Sequence, residues 1–164
     1  MSYVDTLVKK SRKQKCTPRG TWFFVKDQST ATQASAITSS ASAMHAAIMF
    51  FKDRPTIMQE QFWILTLDVR KCPIAWHLIT QGVLDATMVH TREVFRPAIL
   101  DGADSMILMH NHPSGDATPG DVDFRTTKRL AAASVNIGIH ILDHIVVGNF
   151  AVSLRETKPD IFAI

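Results

Sequence analysis

Three side chains in the stretch MILMHNHPSGDATPGDVDF, residues 106–124, are of types that bind metals: His110, His112 and, further on, Asp123. The apolar residues before the histidines read as a strand, in which side chains at i and i+2 share a face, so both imidazoles point the same way. A helix is expected over residues 119–134, with Thr118 and Asp121 forming a capping box and Pro119 at its first position. Asp123 then lies about one turn into that helix. Helical side chains lean toward the N-terminus, which tilts its carboxylate back to the histidines. Two imidazole nitrogens, one carboxylate oxygen and room for a water make the open tetrahedral set of a catalytic Zn2+, which lowers the pKa of its water to about 7.

Other elements must hold these groups in place. SMILM (105–109) is apolar on both faces and reads as a central, doubly covered strand, so the histidines fall at the rim of a sheet. QFWILTLDV (61–69) and IAWHLIT (74–80) form a strand pair across RKCP. Met44, Ala47, Ile48 and Phe51 mark one face of a helix, with Ser40 or Ser42 as its cap. A second helix lies in HTREVFRPAILDG (90–102), with Thr91 as cap, Val94, Phe95, Ala98 and Ile99 on one face, and a kink or early break at Pro97. IGIHILDHIVVG (137–148) and FAVSL (150–154) close the chain as two strands around Gly148 and Asn149. The alternation predicts an α/β fold with a mixed sheet flanked by helices. TWFFVK (21–26) adds a short β segment, and residues 27–43 are linker-like. We divide the chain into a basic tail and polar linker over residues 1–39 and a compact domain over residues 40–164.

At 164 residues, 46% hydrophobic and 20% charged, the chain fits one soluble catalytic-size domain. No apolar run reaches membrane-spanning length and the N-terminus has no secretory apolar core, so the expected location is the cytoplasm. Cys16 and Cys72 lack CxxC partners and read as free thiols. The net charge is only +3, yet Lys9, Lys10, Arg12, Lys13, Lys15 and Arg19 crowd the beginning. Such a tail suits nucleic-acid phosphates, but it carries no binding motif and reads first as a solvated terminus.

HNHPSGDATPGDVD resembles the JAMM signature of MPN-type metalloproteins, and HNHPSGD together with QGVLDATMVHTREVF and LDHIVVG is similar to the RadC branch, from about Ser40 to Leu154. The resemblance implies a cytidine-deaminase-like three-layer α/β fold and zinc held by His110, His112 and Asp123. It also implies hydrolase chemistry related to that of metalloprotease-type isopeptidases, with a peptide or isopeptide substrate. RadC-like proteins are commonly labelled DNA repair proteins. The helix-hairpin-helix module of longer relatives has no counterpart in this sequence.

Two positions depart from the pattern. Gly120 stands where the signature has Ser, removing a hydroxyl that can help position substrate or oxyanion. The family's general-base glutamate aligns with His77, and none of Glu60, Glu93 and Glu156 matches that position. His77 then has three readings: a base, a fourth ligand closing the site, or a residue with no part in it. His144, beside Asp143, is a candidate for orienting a ligand, and His140 reads as a core residue. His45 and His90 read as surface or cap residues. Ser114, after Pro113, lies beside the site but reads as a turn residue, because no Ser-His-Asp spacing accompanies it. Three functions follow as expectations: a zinc hydrolase, a catalytically impaired metal-bearing module that binds a protein partner, or a nucleic-acid accessory protein using the tail.

Overall fold

The computed structural model describes residues 24–25, 36–52, 59–82 and 89–163. The basic cluster, Cys16 and most of the expected tail and linker lie outside the described residues. Among the described residues no helix is long and apolar enough to cross a membrane, and Cys72 is a free thiol.

Among the described residues six strands form one mixed sheet. They are β1 (Phe24–Val25), β2 (Glu60–Leu67), β3 (Pro73–Gly82), β4 (Ser105–Asn111), β5 (His140–Val147) and β6 (Ala151–Ser153), in the order β1-β3-β2-β4-β5-β6. β2 and β3 are the expected antiparallel pair, and β4 lies between β2, antiparallel to it, and β5, parallel to it. Every residue of β4 is buried, as expected of a strand covered on both faces. A parallel neighbour needs a crossover, and helix α3 (Asp121–Ile137) supplies it.

The pleat sorts the strand residues into two cores. Phe62, Ile64, Met106 and Leu108 pack with Val94, Phe95 and Ala98 of α2 (Thr91–Leu100) and Leu130 of α3. Trp63, Leu65, Ile107 and Met109 face the other way, onto Ala43, Ala47 and Phe50 of α1 (Ser40–Lys52). The result is a three-layer α/β fold: α1, the sheet, then α2 with α3. A short helix α4 (Leu154–Thr157) and a 3-10 turn (Pro159–Phe162) end the described chain.

Local expectations shift in three places. The buried face of α1 is Ala43, Ala47 and Phe50, whereas Ile48 is 40% exposed. The Phe50 ring stacks on Trp76 at 4.0 Å and meets Trp63 edge-on at 4.8 Å, an aromatic contact that outweighs burying Ile48. The cap of α1 is Ser39, whose Oγ accepts from the Ser42 amide at 3.2 Å, rather than Ser40 or Ser42. In α2 the cap position is His90, not Thr91, and the helix runs through Pro97 to Leu100 without a break. Pro97 is itself buried in the core, so packing offsets its one missing helical hydrogen bond.

The aromatic contact yields a prediction. Phe50→Ala should cost about 3–5 kcal/mol, read by denaturant unfolding, because the ring packs on both Trp63 and Trp76.

Candidate metal centre

Four elements meet at one end of the central strands. β4 runs antiparallel to β2 with His110 opposite Phe62, so β4 ends where β2 begins, at Glu60. After Asn111 the main chain turns toward β5, and the His112 amide donates to Val147 O at 2.8 Å. The loop that follows leads to Gly120, the residue before α3. The Asp123 carboxylate accepts from the Gly120 amide at 2.8 Å, tying the first turn of the helix together. This bond replaces the expected Thr118–Asp121 box, since the Thr118 hydroxyl donates to Asp116 at 2.7 Å instead. α3 accordingly starts at Asp121, two residues later than expected, and extends beyond residue 134 to Ile137.

His110, His112 and Asp123 are brought together as the sequence predicts. The two Nε2 atoms are 3.0 Å apart. Asp123 Oδ1 lies 3.2 Å from His110 Nε2, and its Oδ2 lies 3.8 Å from His112 Nε2. Glu60 joins them, with Oε1 3.9 Å from both imidazole Nε2 atoms. One ligand atom each from Glu60, His110 and His112 fall within 4.8 Å of one another. Ligand atoms around tetrahedral zinc, bonded at about 2.0–2.1 Å, stand about 3.3 Å apart, and the two histidines with Asp123 match that spacing best.

The far nitrogens of the rings decide what the near ones can do. His112 Nδ1 lies 2.7 Å from the Asp116 carbonyl, which only accepts, so Nδ1 carries a proton and Nε2 is the nitrogen that faces the cluster. For His110 the assignment passes through three residues. The Thr127 hydroxyl donates to the Asp123 carbonyl at 2.6 Å, so it must accept from His144 Nδ1, also at 2.6 Å. His144 Nε2 is then an acceptor, and His110 Nδ1 donates to it at 2.9 Å. This turns His110 Nε2 toward Nε2 of His112. Burial, reinforced by the His110 charge and opposed by Asp123, holds the His144 pKa well below its usual value, which keeps the ring neutral as the chain of bonds requires. Burial would raise the Asp123 pKa, but the hydrogen bond and charge of His110 and the Gly120 amide outweigh it and lower it to about 2.

Two neighbours complete the loop. A Cβ at Gly120 would meet only Asp123 Oδ2, at 3.7 Å, so a serine fits there. Gly148, in the turn between β5 and β6, lies against the loop: a Cβ there would run into the Gly115 carbonyl and stand 2.9 Å from the Ala117 nitrogen. Ser114 is exposed and accepts from the Asp116 amide at 3.3 Å, a turn role.

His77 does not join the cluster. It pairs with Ile64, four residues along β2 from Glu60, and its Nε2 is 2.6 Å from Asp101 Oδ2 at the end of α2. Thr66 Oγ1 donates to the same oxygen at 2.6 Å. His140 is exposed rather than a core residue, and His45 and His90 are exposed as expected. Glu60 was missed because it precedes the apolar run 61–69 and looks like a strand flank. Its signal is that an antiparallel partner of the histidine strand must begin where that strand ends.

A family model described as "RadC-like JAB domain" matches residues 37–159. The chain belongs to this RadC-like family. A UPF0758 protein of Finegoldia magna is 45% identical over 98 residues, covering 59% of this chain and 44% of that protein. One from Caldanaerobacter subterraneus subsp. tengcongensis is 45% identical over 101 residues, covering 61% and 43%. A third, from Listeria monocytogenes, is 46% identical over 101 residues, covering 61% and 45%. The chain therefore spans less than half the length of these relatives. The fold of the RadC-like domain is the three-layer α/β arrangement that the resemblance implied.

Two outcomes test the assignments. A histidine kept neutral in the fold but protonated when unfolded adds stability above its unfolded pKa of about 6.5, and that stability is lost as pH falls toward its folded value. Metal-free protein should therefore lose stability on acidification from pH 6.5 to 5, and His144→Gln, which can still accept from His110, should flatten that fall in pH-dependent melts. His77→Glu should bring a second carboxylate onto Asp101 and cost about 3 kcal/mol or more in denaturant unfolding, with no gain in hydrolysis.

Proposed function

We propose that the RadC-like domain is a zinc-dependent hydrolase of peptide or isopeptide bonds, with His110, His112 and Asp123 as ligands and Glu60 as general base. One observation carries the reading. The Nε2 atoms of His110 and His112 converge to 3.0 Å, with the buried Asp123 carboxylate 3.2 Å and 3.8 Å from them. Two imidazole nitrogens and a carboxylate oxygen gathered at this spacing make a ligand set for a cation. Asp123 is buried and lies closer to the imidazole nitrogens than Glu60 does, which favours Asp123 as the ligand. The side chains of Glu60 and His112 are each 20% exposed, so substrate approaches from their side.

A divalent ion held by His110, His112 and Asp123 would supply Lewis acidity toward a carbonyl and a water. Glu60 accepts the proton of the attacking water. It then returns that proton to the departing amine, so one amide and one water become an acid and an amine. His144 and the Asp116 carbonyl hold the rings so that neither turns its protonated nitrogen inward. Glu60 thus takes the role that the sequence comparison put at His77. A second reading, a metal-bearing binding module without turnover, now rests on Gly120, which supplies no hydroxyl for an oxyanion.

Elemental analysis should find about one zinc per chain, and His112→Ala should lose it. Glu60→Gln should keep the metal while hydrolysis of a peptide or isopeptide model substrate falls about 100-fold to 10,000-fold. Absence of metal from the purified parent overturns the site. A zinc-loaded parent no faster than Glu60→Gln on any substrate in a screened panel favours the binding module.

A further inference from the structure

We propose that Asn111, the residue between the two histidines, positions Glu60 by replacing a main-chain peptide unit at the end of the β2–β4 ladder. The inference rests on reading Glu60 as the general base.

The register pairs β2 with β4 only as far as Phe62 opposite His110. Beyond that pair the β4 main chain leaves β2, because the His112 amide is drawn to Val147 O on the other side. The same turn that delivers His112 to the site therefore takes the β4 main chain away from the Gln61 amide and the Gln59 carbonyl. The Asn111 side chain supplies substitutes. Its Oδ1 accepts from the Gln61 amide at 2.9 Å, and its Nδ2 donates to the Gln59 carbonyl at 3.2 Å. These two peptide groups flank Glu60 on either side.

The chemistry explains the residue type. A carboxamide carries one carbonyl acceptor and an N–H donor, as a peptide group does. Aspartate keeps the acceptor and loses the donor, alanine loses both, and a serine hydroxyl is too short to bridge two peptide groups. Asn111 is only 8% exposed, which strengthens its hydrogen bonds and makes unpaired partners costly. The side chains next to Glu60 are also held, Gln59 Oε1 by Gln81 Nε2 at 2.8 Å and Gln61 Oε1 by Trp63 Nε1 at 3.0 Å. On the side facing the histidines, however, the main chain around Glu60 is held by Asn111. Asn111 touches none of the proposed ligand atoms through these bonds, so its loss should displace the base and spare the metal.

The test uses the full chain loaded with Co2+ as parent, Glu60→Gln, Asn111→Ala and Asn111→Asp. The pH midpoint of the visible cobalt spectrum is the readout, since it responds to a carboxylate beside the open side of the ion. Glu60→Gln should shift the midpoint and set the scale. Asn111→Ala should keep about one cobalt per chain and shift the midpoint in the same direction by at least half as much. Asn111→Asp should shift it less, because Oδ1 still holds the Gln61 amide. Hydrogen exchange at the Gln61 amide should quicken in Asn111→Ala. A parent-like midpoint in Asn111→Ala, with Glu60→Gln shifted, overturns the positioning role and leaves the base reading standing. Loss of cobalt from Asn111→Ala also overturns it, since the residue would then be holding the ligands. An unshifted Glu60→Gln removes the base reading and this inference with it. If Asn111→Ala does not fold, hydrogen exchange at the Gln61 amide and cobalt content in Asn111→Asp decide: with the Gln59 bond lost, faster exchange with cobalt retained upholds the positioning role, and parent-like exchange or lost cobalt overturns it.

Discussion

The hydrogen bond from His110 Nδ1 to His144 Nε2, 2.9 Å long and fully buried, settles which nitrogen of the central imidazole is free. It turns Nε2 toward His112 and Asp123, where a proton on it would occupy the space that a cation needs. The bond depends in turn on a neutral His144, on the Thr127 hydroxyl that accepts from it, and on the main-chain carbonyl of Asp123 that accepts from Thr127. Asp123 therefore contributes twice. Its carboxylate faces the imidazoles, while its carbonyl ends the chain of bonds that orients one of them. A single helical residue couples the charge of the site to its proton arrangement.

The sheet topology makes this coupling feasible. A parallel β4–β5 pair places His144 beside the histidine strand and requires a helix between them, and the start of that helix carries Asp123. An antiparallel β2–β4 pair brings the beginning of β2, with Glu60, to the same end. One strand thus collects donors from both directions because it pairs differently on its two sides. The price is a buried polar cluster against an otherwise apolar face, with Phe62 stacked near-parallel to His110 at 6.2 Å and edge-on to His144 at 5.4 Å.

Much of this was legible in the sequence. The His-x-His spacing at the end of an apolar strand, followed by a helix bearing Asp123, sufficed to group three side chains, because strand and helix periodicities are local properties. His144 was legible as an orienting group, although the route through Thr127 was not. The fold class followed from the alternation of elements. The position of Glu60 beside the histidines, and of His77 outside the cluster, was not legible: which strand lies next to β4, and in what register, is set by packing across the sheet, and local sequence does not encode it. The aligned position on β3 is one strand too far out. Helix capping erred for a related reason, since Asp123 serves both its own helix terminus and the cluster, and a local motif sees only the first.

The turn at Gly148 carries a different lesson, about tolerance. Seen from outside it is a short hairpin tip with Asn149 and Phe150 exposed, the kind of place where insertions and side-chain changes usually pass unnoticed. Here the hairpin tip and the histidine loop are stacked without space for one methyl group. Their backbones are also joined, the Asn149 amide donating to Gly115 O at 2.7 Å. The two loops, more than thirty residues apart in the chain, behave as one piece of backbone. Length changes and grafts that are harmless on most hairpins would here be transmitted to His112, so engineered tags or inserted segments belong elsewhere on the molecule.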